Sequence, residues 1–113
     1  MKTAFRTVLA TAGAVLFLLP TIALAKGNPA AGQQKSATCL ACHGEAGIPV
    51  DPNNPKLAGQ HRDYIIKALS DYRSGKRTNL IMANFAAQLS NQDIEDLAAW
   101  FSSQEGLQDL SIQ

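Results

Sequence analysis

The chain has 113 residues, 46% of them hydrophobic and 17% charged, with a formal net charge of +1. Two of its ten basic residues, Lys2 and Arg6, belong to an N-terminal segment of its own character. Beyond residue 25 the chain keeps 8 Lys+Arg against 9 Asp+Glu, so there is no basic excess of the kind a nucleic-acid face needs.

Residues 1–25 read as a secretory leader that is cleaved. Lys2 and Arg6 give a basic start, an uncharged apolar stretch runs from Thr7 to Leu24, and Ala23-Leu24-Ala25 is a small-x-small cleavage site. The uncharged run is long enough to span a bilayer, so an uncleaved anchor is the competing reading. The cleavage site favours the leader. Cleavage leaves residues 26–113, 88 residues and one domain, in an oxidising compartment. A chain of that size buries a modest core and often needs a staple.

The remaining elements are expected to be helical. Asn28 is a good N-cap and Pro29 suits the first helical position, so a helix is expected from Pro29 to about Thr38. It runs into Cys39-Leu40-Ala41-Cys42-His43. Residues 44–59 hold three Gly and three Pro and read as a long loop. From His61 to Ser74, Tyr64, Ile65, Ala68, Leu69 and Tyr72 repeat at helical spacing, with Gly75 closing the helix. Core packing is the plain reading of both tyrosines, with one hydroxyl reaching the pocket beside the cysteine motif as the alternative. Residues 76–89 read as irregular, with a turn of helix near Ala83–Ala87. Ser90 and Asp93 form a capping box before a last helix that ends near Ser103, with Ile94, Leu97, Ala98 and Phe101 on one face. Asp93, Glu95 and Asp96 suit the positive end of that helix. Residues 104–113 are expected to be a mobile tail. The fold class is all-α, three to four main helices joined by long loops.

Cys39 and Cys42 are the only cysteines, and C-x-x-C-H is the attachment pattern of c-type haem. Two thiols at this spacing add to the two vinyl groups of one haem, and the adjacent imidazole of His43 reaches the iron. Three alternatives compete. A disulfide leaves His43 unexplained, and a thioredoxin-like site needs a βαβ context that is missing. A zinc site from Cys39, Cys42, His43 and His61 is strained because His43 abuts Cys42. A covalent haem accounts for all the residues and also supplies the core that the short chain lacks. The sixth iron position has two candidates. Met82, 39 residues past His43, is the only methionine beyond the leader, and it stands in what reads as a loop. His61, 18 residues past His43, begins a helix and is more readily a solvent-facing side chain. Met82 is the better ligand candidate.

Cys39–His43, Asn54-Pro55-Lys56-Leu57-Ala58-Gly59-Gln60, Tyr64-Ile65, Tyr72, Gly75, Met82, Leu89-Ser90, Asp93-Ile94 and Leu97-Ala98-Ala99-Trp100-Phe101 together resemble a class I c-type cytochrome. Within that class the chain is similar to a single domain of the bacterial periplasmic dihaem cytochromes of the c-four type. The resemblance covers residues 27–104. It implies the class I cytochrome c fold wrapped round one covalent haem c, and a place in the periplasm. It implies that the Pro55 carbonyl accepts the ring N–H of His43, and that the first and last helices cross at Gly32 with Leu97 and Trp100 packed over it. Trp100 stands where these relatives are expected to have tyrosine.

With both axial positions filled by His43 and Met82, no site is open for catalysis, and outer-sphere electron transfer is the expected role. The partners are then an electron donor and an electron acceptor, both redox proteins, met by a monomer that touches membranes only through partner complexes. The alternatives are a haem subunit bound permanently to a dehydrogenase or oxidase, and a haem-based sensor whose Met82 dissociates. The expected electron exit lies near Leu40, Ala41, Ile48 and the surroundings of Met82. Lys67, Arg73, Lys76 and Arg77 are a candidate basic docking rim, with a solvated face as the plainer reading.

Overall fold

The computed structural model describes residues 26–106. The expected leader, residues 1–25, and residues 107–113 of the expected tail lie outside the described residues. Five α-helices follow in order: α1 (Pro29–Lys35), α2 (Ala37–His43), α3 (Arg62–Ser74), α4 (Leu80–Ala86) and α5 (Asn91–Ser102). A single 3-10 turn, Glu45–Gly47, interrupts the long loop. The described residues contain no strand, and no helix among them is long and apolar enough to cross a membrane.

The first helix starts where its cap predicts. The Asn28 side chain accepts from the N–H groups of Ala30 and Ala31 at 2.9 and 3.3 Å, and Pro29 follows at the first position. It does not run on unbroken into the cysteine motif. Ser36 is fully buried, and its hydroxyl donates to the Gln33 carbonyl at 2.8 Å. Its own N–H divides between the carbonyls of Gly32 and Gln33. That local competition with the helical ladder makes a one-residue joint between α1 and α2.

The α1–α5 crossing is a close backbone contact. A Cβ on Gly32 would overlap the Asp96 carbonyl and come within 2.7 Å of the Trp100 Cβ. Only glycine lets the two backbones approach this closely. Trp100 meets Gly32 as expected, and Leu97 is buried in the core with Ile65, Ala98 and Phe101. Burying each of the three larger side chains contributes about 1.5–3 kcal/mol.

Asp96 was expected only to complement the positive end of α5. The structure instead buries it, 3% exposed, between the two helices. Its carboxylate accepts from the Asn28 N–H at 2.8 Å, the Lys35 ammonium at 2.6 Å and the Gln92 amide at 2.9 Å. The Asn28 N–H foremost, and then Lys35, hold its carboxyl below the usual carboxylate range. Lys35 also bonds Asp93 at 2.7 Å. Asp93 completes the predicted capping box, exchanging backbone–side-chain bonds with Ser90. Lys35 first, then Ser90, lower the Asp93 carboxyl to about 2.

Residues 80–86 correct the sequence reading, which had a short turn there and placed Met82 in a loop. They form α4, capped by Asn79, whose side chain accepts from the Met82 N–H at 3.0 Å. Leu80, Ile81 and Phe85 remain exposed on α4. Without a buried apolar stripe the helix has no periodic signature to read. At the other end of the chain, the Gly106 carbonyl accepts from Lys56 at 3.2 Å, which ties the first residues of the expected tail to the long loop.

Gly32→Ala is expected to cost about 2–3 kcal/mol, because backbone atoms must move to admit the methyl; the shift of the urea midpoint measures it. The lowered carboxyl of Asp93 also sets a pH dependence. Its contribution is complete above its unfolded value of about 3.9 and is lost as the pH falls towards its folded value. Stability should therefore decline most steeply between about pH 4 and pH 2. Lys35→Met should shrink that decline, because the folded value of Asp93 rises towards the unfolded one, and cost about 1–3 kcal/mol at neutral pH by removing a partner of buried Asp96. Urea titrations across this range read both effects.

Candidate functional site

The cysteine motif lies on α2, which ends at His43. Gly44 then turns the chain at φ 76°, and a Cβ there would overlap the Ile48 carbonyl. This turn sends the long loop back alongside the helix it has just left. The Gly47 carbonyl accepts from the N–H groups of both Leu57 and Ala58, at 2.9 and 3.1 Å. The Gly59 N–H donates to the Phe101 carbonyl of α5 at 2.9 Å. The loop is thereby fixed on both its own turn and the last helix, and Pro55 is held just before the fixed segment.

His43 is buried, 8% exposed, and its Nδ1 lies 2.8 Å from the Pro55 carbonyl oxygen. A carbonyl can only accept, so Nδ1 carries the proton and Nε2 keeps a free lone pair. The orientation and tautomer of a ligating imidazole are set by such a bond. Cys39 is half-buried and Cys42 exposed. Burial pushes the Cys39 thiol up.

A slot of about 310 Å3 opens between α2, the long loop, α3 and α4. Cys39, Cys42 and His43 line it together with Met82. Much of the remaining lining is apolar, with Leu57, Ile65, Leu69, Leu97 and Phe101 among it. His61 is exposed and does not line the slot. The zinc alternative has no support in the structure, since among the described residues no three His, Cys, Asp or Glu gather to hold a metal ion.

The lining suits a flat apolar macrocycle carrying a soft metal. It offers two thiols on one turn of helix, an imidazole with a free nitrogen and a thioether, all facing one apolar slot. Thioether and imidazole are both ligands of iron in haem proteins.

Two expectations about the surroundings change. Tyr64 and Tyr72 line the slot, and Tyr64 is 49% exposed, so it is not core packing. The supposed basic rim is largely engaged within the protein. Lys67 pairs with Asp71, and Arg73 bonds the Leu89 carbonyl and Asn91 at 2.8 and 2.6 Å. Arg77 lies against the rings of Tyr64 and Tyr72. The sequence reading grouped these residues by charge alone. Lys67 and Asp71 are four residues apart on α3, a pairing the spacing allows, whereas the partners of Arg73 lie 16 and 18 residues away, at the start of α5, which sequence order does not display.

The family model for cytochrome c matches residues 29–105. Cytochrome c4 of Pseudomonas aeruginosa is 49% identical over 87 residues, covering 77% of this chain and 43% of that protein. Reduced recombinant cytochrome c4 from Pseudomonas stutzeri has the same fold, with a TM-score of 0.68 at 46% identity over 72% of this chain and 47% of that one. The chain thus spans about half the length of these cytochrome c4 relatives. Cytochrome c-554(548) of Halomonas halodenitrificans, 43% identical over 82 residues, is covered along 99% of its length and matches 70% of this chain. The chain therefore belongs to the cytochrome c family, with Cys39 and Cys42 as the pair that carries a covalent haem c.

Proposed function

We propose that this chain carries single electrons between redox proteins of the periplasm, with His43 and Met82 as the axial ligands of its haem iron. The observation that carries the reading is that Met82 lines the same slot as Cys39, Cys42 and His43. The bound haem supplies a one-electron couple, whose potential thioether ligation raises.

The chain's own residues do the positioning. The Pro55 carbonyl holds the Nδ1 proton of His43, which presents Nε2 to the iron and makes it a stronger donor. Asn79 fixes the backbone of Met82 through its N–H, so the thioether springs from a capped turn. With His43 and Met82 both holding the iron, no position would be open to oxygen or peroxide, and little movement would accompany a change of oxidation state. Ala41 and Cys42 are exposed on α2, and Ile81 on α4 is 63% exposed, so a partner can approach the slot from that side. Redox encounters of this kind use small, weak interfaces. The periplasmic placement rests on the leader reading of residues 1–25 and on the likeness to cytochromes of the c-four type.

Met82→Ala should abolish the far-red sulfur-to-iron absorption band of the oxidised protein and let the reduced protein bind carbon monoxide. His61→Ala should leave the band intact. A persistent band in Met82→Ala would remove Met82 from the iron. Carbon monoxide binding by the unaltered reduced protein would favour a sensor over a carrier. Asn79→Ala should keep the band but weaken the helix cap by about 1 kcal/mol, lowering the denaturant concentration at which the band disappears.

A further inference from the structure

The Pro55 carbonyl that holds His43 is itself held indirectly. Proline has no N–H to anchor it, and Pro55 and the preceding residues 51–53 are exposed. The Asn54 N–H donates to the Asp51 carbonyl at 3.0 Å, a bond within the loop's own turn. Firm fixing begins after Pro55. Ala58 has no exposed surface and lies between two glycines that are distant in sequence. On one side a Cβ on Gly47 would come within 2.8 Å of the Ala58 nitrogen. On the other, a Cβ on Gly106 would come within 2.3 Å of the Ala58 carbonyl oxygen and 2.6 Å of its Cβ.

The two glycines are needed for different reasons. Gly47 has a φ of 85°, which side chains rarely adopt, as well as too little room. Gly106 has no positive φ, so close approach alone excludes a side chain there. Its carbonyl also accepts from the Lys56 ammonium at 3.2 Å. Residues 104–106, leaving the end of α5, thus form a strap across Lys56–Ala58. The Gly59 N–H, donating to the Phe101 carbonyl, fastens the same segment to α5 itself.

We infer that Gly106 is a positioning residue for the iron ligand: its backbone holds Ala58 against Gly47 and so fixes the Pro55 carbonyl 2.8 Å from the His43 Nδ1. Hydrogen bonds weaken steeply as length and angle depart from their best values. A carbonyl that accepts the Nδ1 proton makes the imidazole a stronger donor, which favours ferric iron. Displacing the strap therefore loosens that bond and favours ferrous iron. The inference rests on His43 as an iron ligand and holds whichever residue fills the sixth position.

The test uses reduced, haem-loaded protein with histidine labelled in its ring nitrogens. NMR then follows exchange of the His43 Nδ1 proton with solvent. Gly106→Ala is expected to speed that exchange about tenfold. It should also lower the ferric-to-ferrous ratio at a fixed electrode potential about threefold. Lys56→Met removes the tether but also a charge, so its readout is exchange alone, which should quicken by less. That variant serves where Gly106→Ala fails to fold. Ser90→Ala weakens the far end of α5 and should lower the urea midpoint while exchange and potential stay as they are. Exchange unchanged in both Gly106→Ala and Lys56→Met, or quickened equally in Ser90→Ala, would overturn the inference and leave the strap as packing. His43 ring signals that lack the large shift of a haem-bound imidazole would overturn the ligand reading and this inference together. Shifted signals with unaltered exchange would overturn this inference alone.

Discussion

The backbone contact between α1 and α5 at Gly32 is the constraint on which the other elements depend. It joins the first described helix to the last, and each carries part of the slot. α2 continues from α1 through the single residue Ser36, so the crossing sets where Cys39, Cys42 and His43 stand. α5 contributes Leu97 and Phe101 to the slot, and its Phe101 carbonyl receives the N–H of Gly59. Both ends of the cysteine-to-proline loop are therefore referred to one contact. The buried Asp96 adds specificity to it. Its three donors come from Asn28, Lys35 and Gln92, and the first two lie at opposite ends of α1. Apolar packing alone allows sliding, whereas a buried carboxylate with fixed donors accepts one register.

In a short chain the core and the functional slot cannot be separate sets of residues. Ile65, Leu97 and Phe101 belong to both. A domain of this size buries too small a fraction of its surface to maintain a second, independent core. The covalent haem resolves that shortage by serving as core and reactive centre together. The arrangement explains why α3 and α5 bury modest side chains beside the slot while α4 leaves Leu80 and Ile81 exposed. α4 contributes Met82, fixed through Asn79, more than it contributes buried surface.

Much of this was legible because it depends on short sequence separations. The Asn28–Pro29 start, the Ser90–Asp93 capping box, the Gly75 stop and the C-x-x-C-H motif each act within a few residues, and each appears where the spacing put it. The bond from His43 to the Pro55 carbonyl was legible only by resemblance, since a 12-residue separation across a loop has no local signature. The remaining features depend on tertiary partners. Ser36 breaks the first helix through local bonds to Gln33 and Gly32, and a lone serine does not announce that choice. Asp96 looked like an ordinary charge near a helix start until α1 supplied its donors. α4 escaped the periodicity argument because its apolar side chains are not turned inward. Arg77 was grouped with other basic residues, although its surroundings are two aromatic rings of α3.

The distribution of charge then bears on how a partner is met. Electrostatic steering needs cations or anions that are free to project a field. Here Lys35, Arg62 and Lys67 form ion pairs within the protein, and Arg73 caps the approach to α5 through Leu89 and Asn91. Acidic and basic residues beyond residue 25 nearly balance. A field built from such pairs decays quickly, because opposite charges a few ångströms apart cancel at a distance. Exposed apolar side chains on the loop and α4, Ile48, Val50, Leu80 and Ile81, stand beside the exposed Glu45, Asp51 and Lys56. The internal pairing that fixes the helices is thus the same feature that limits the field these charges project.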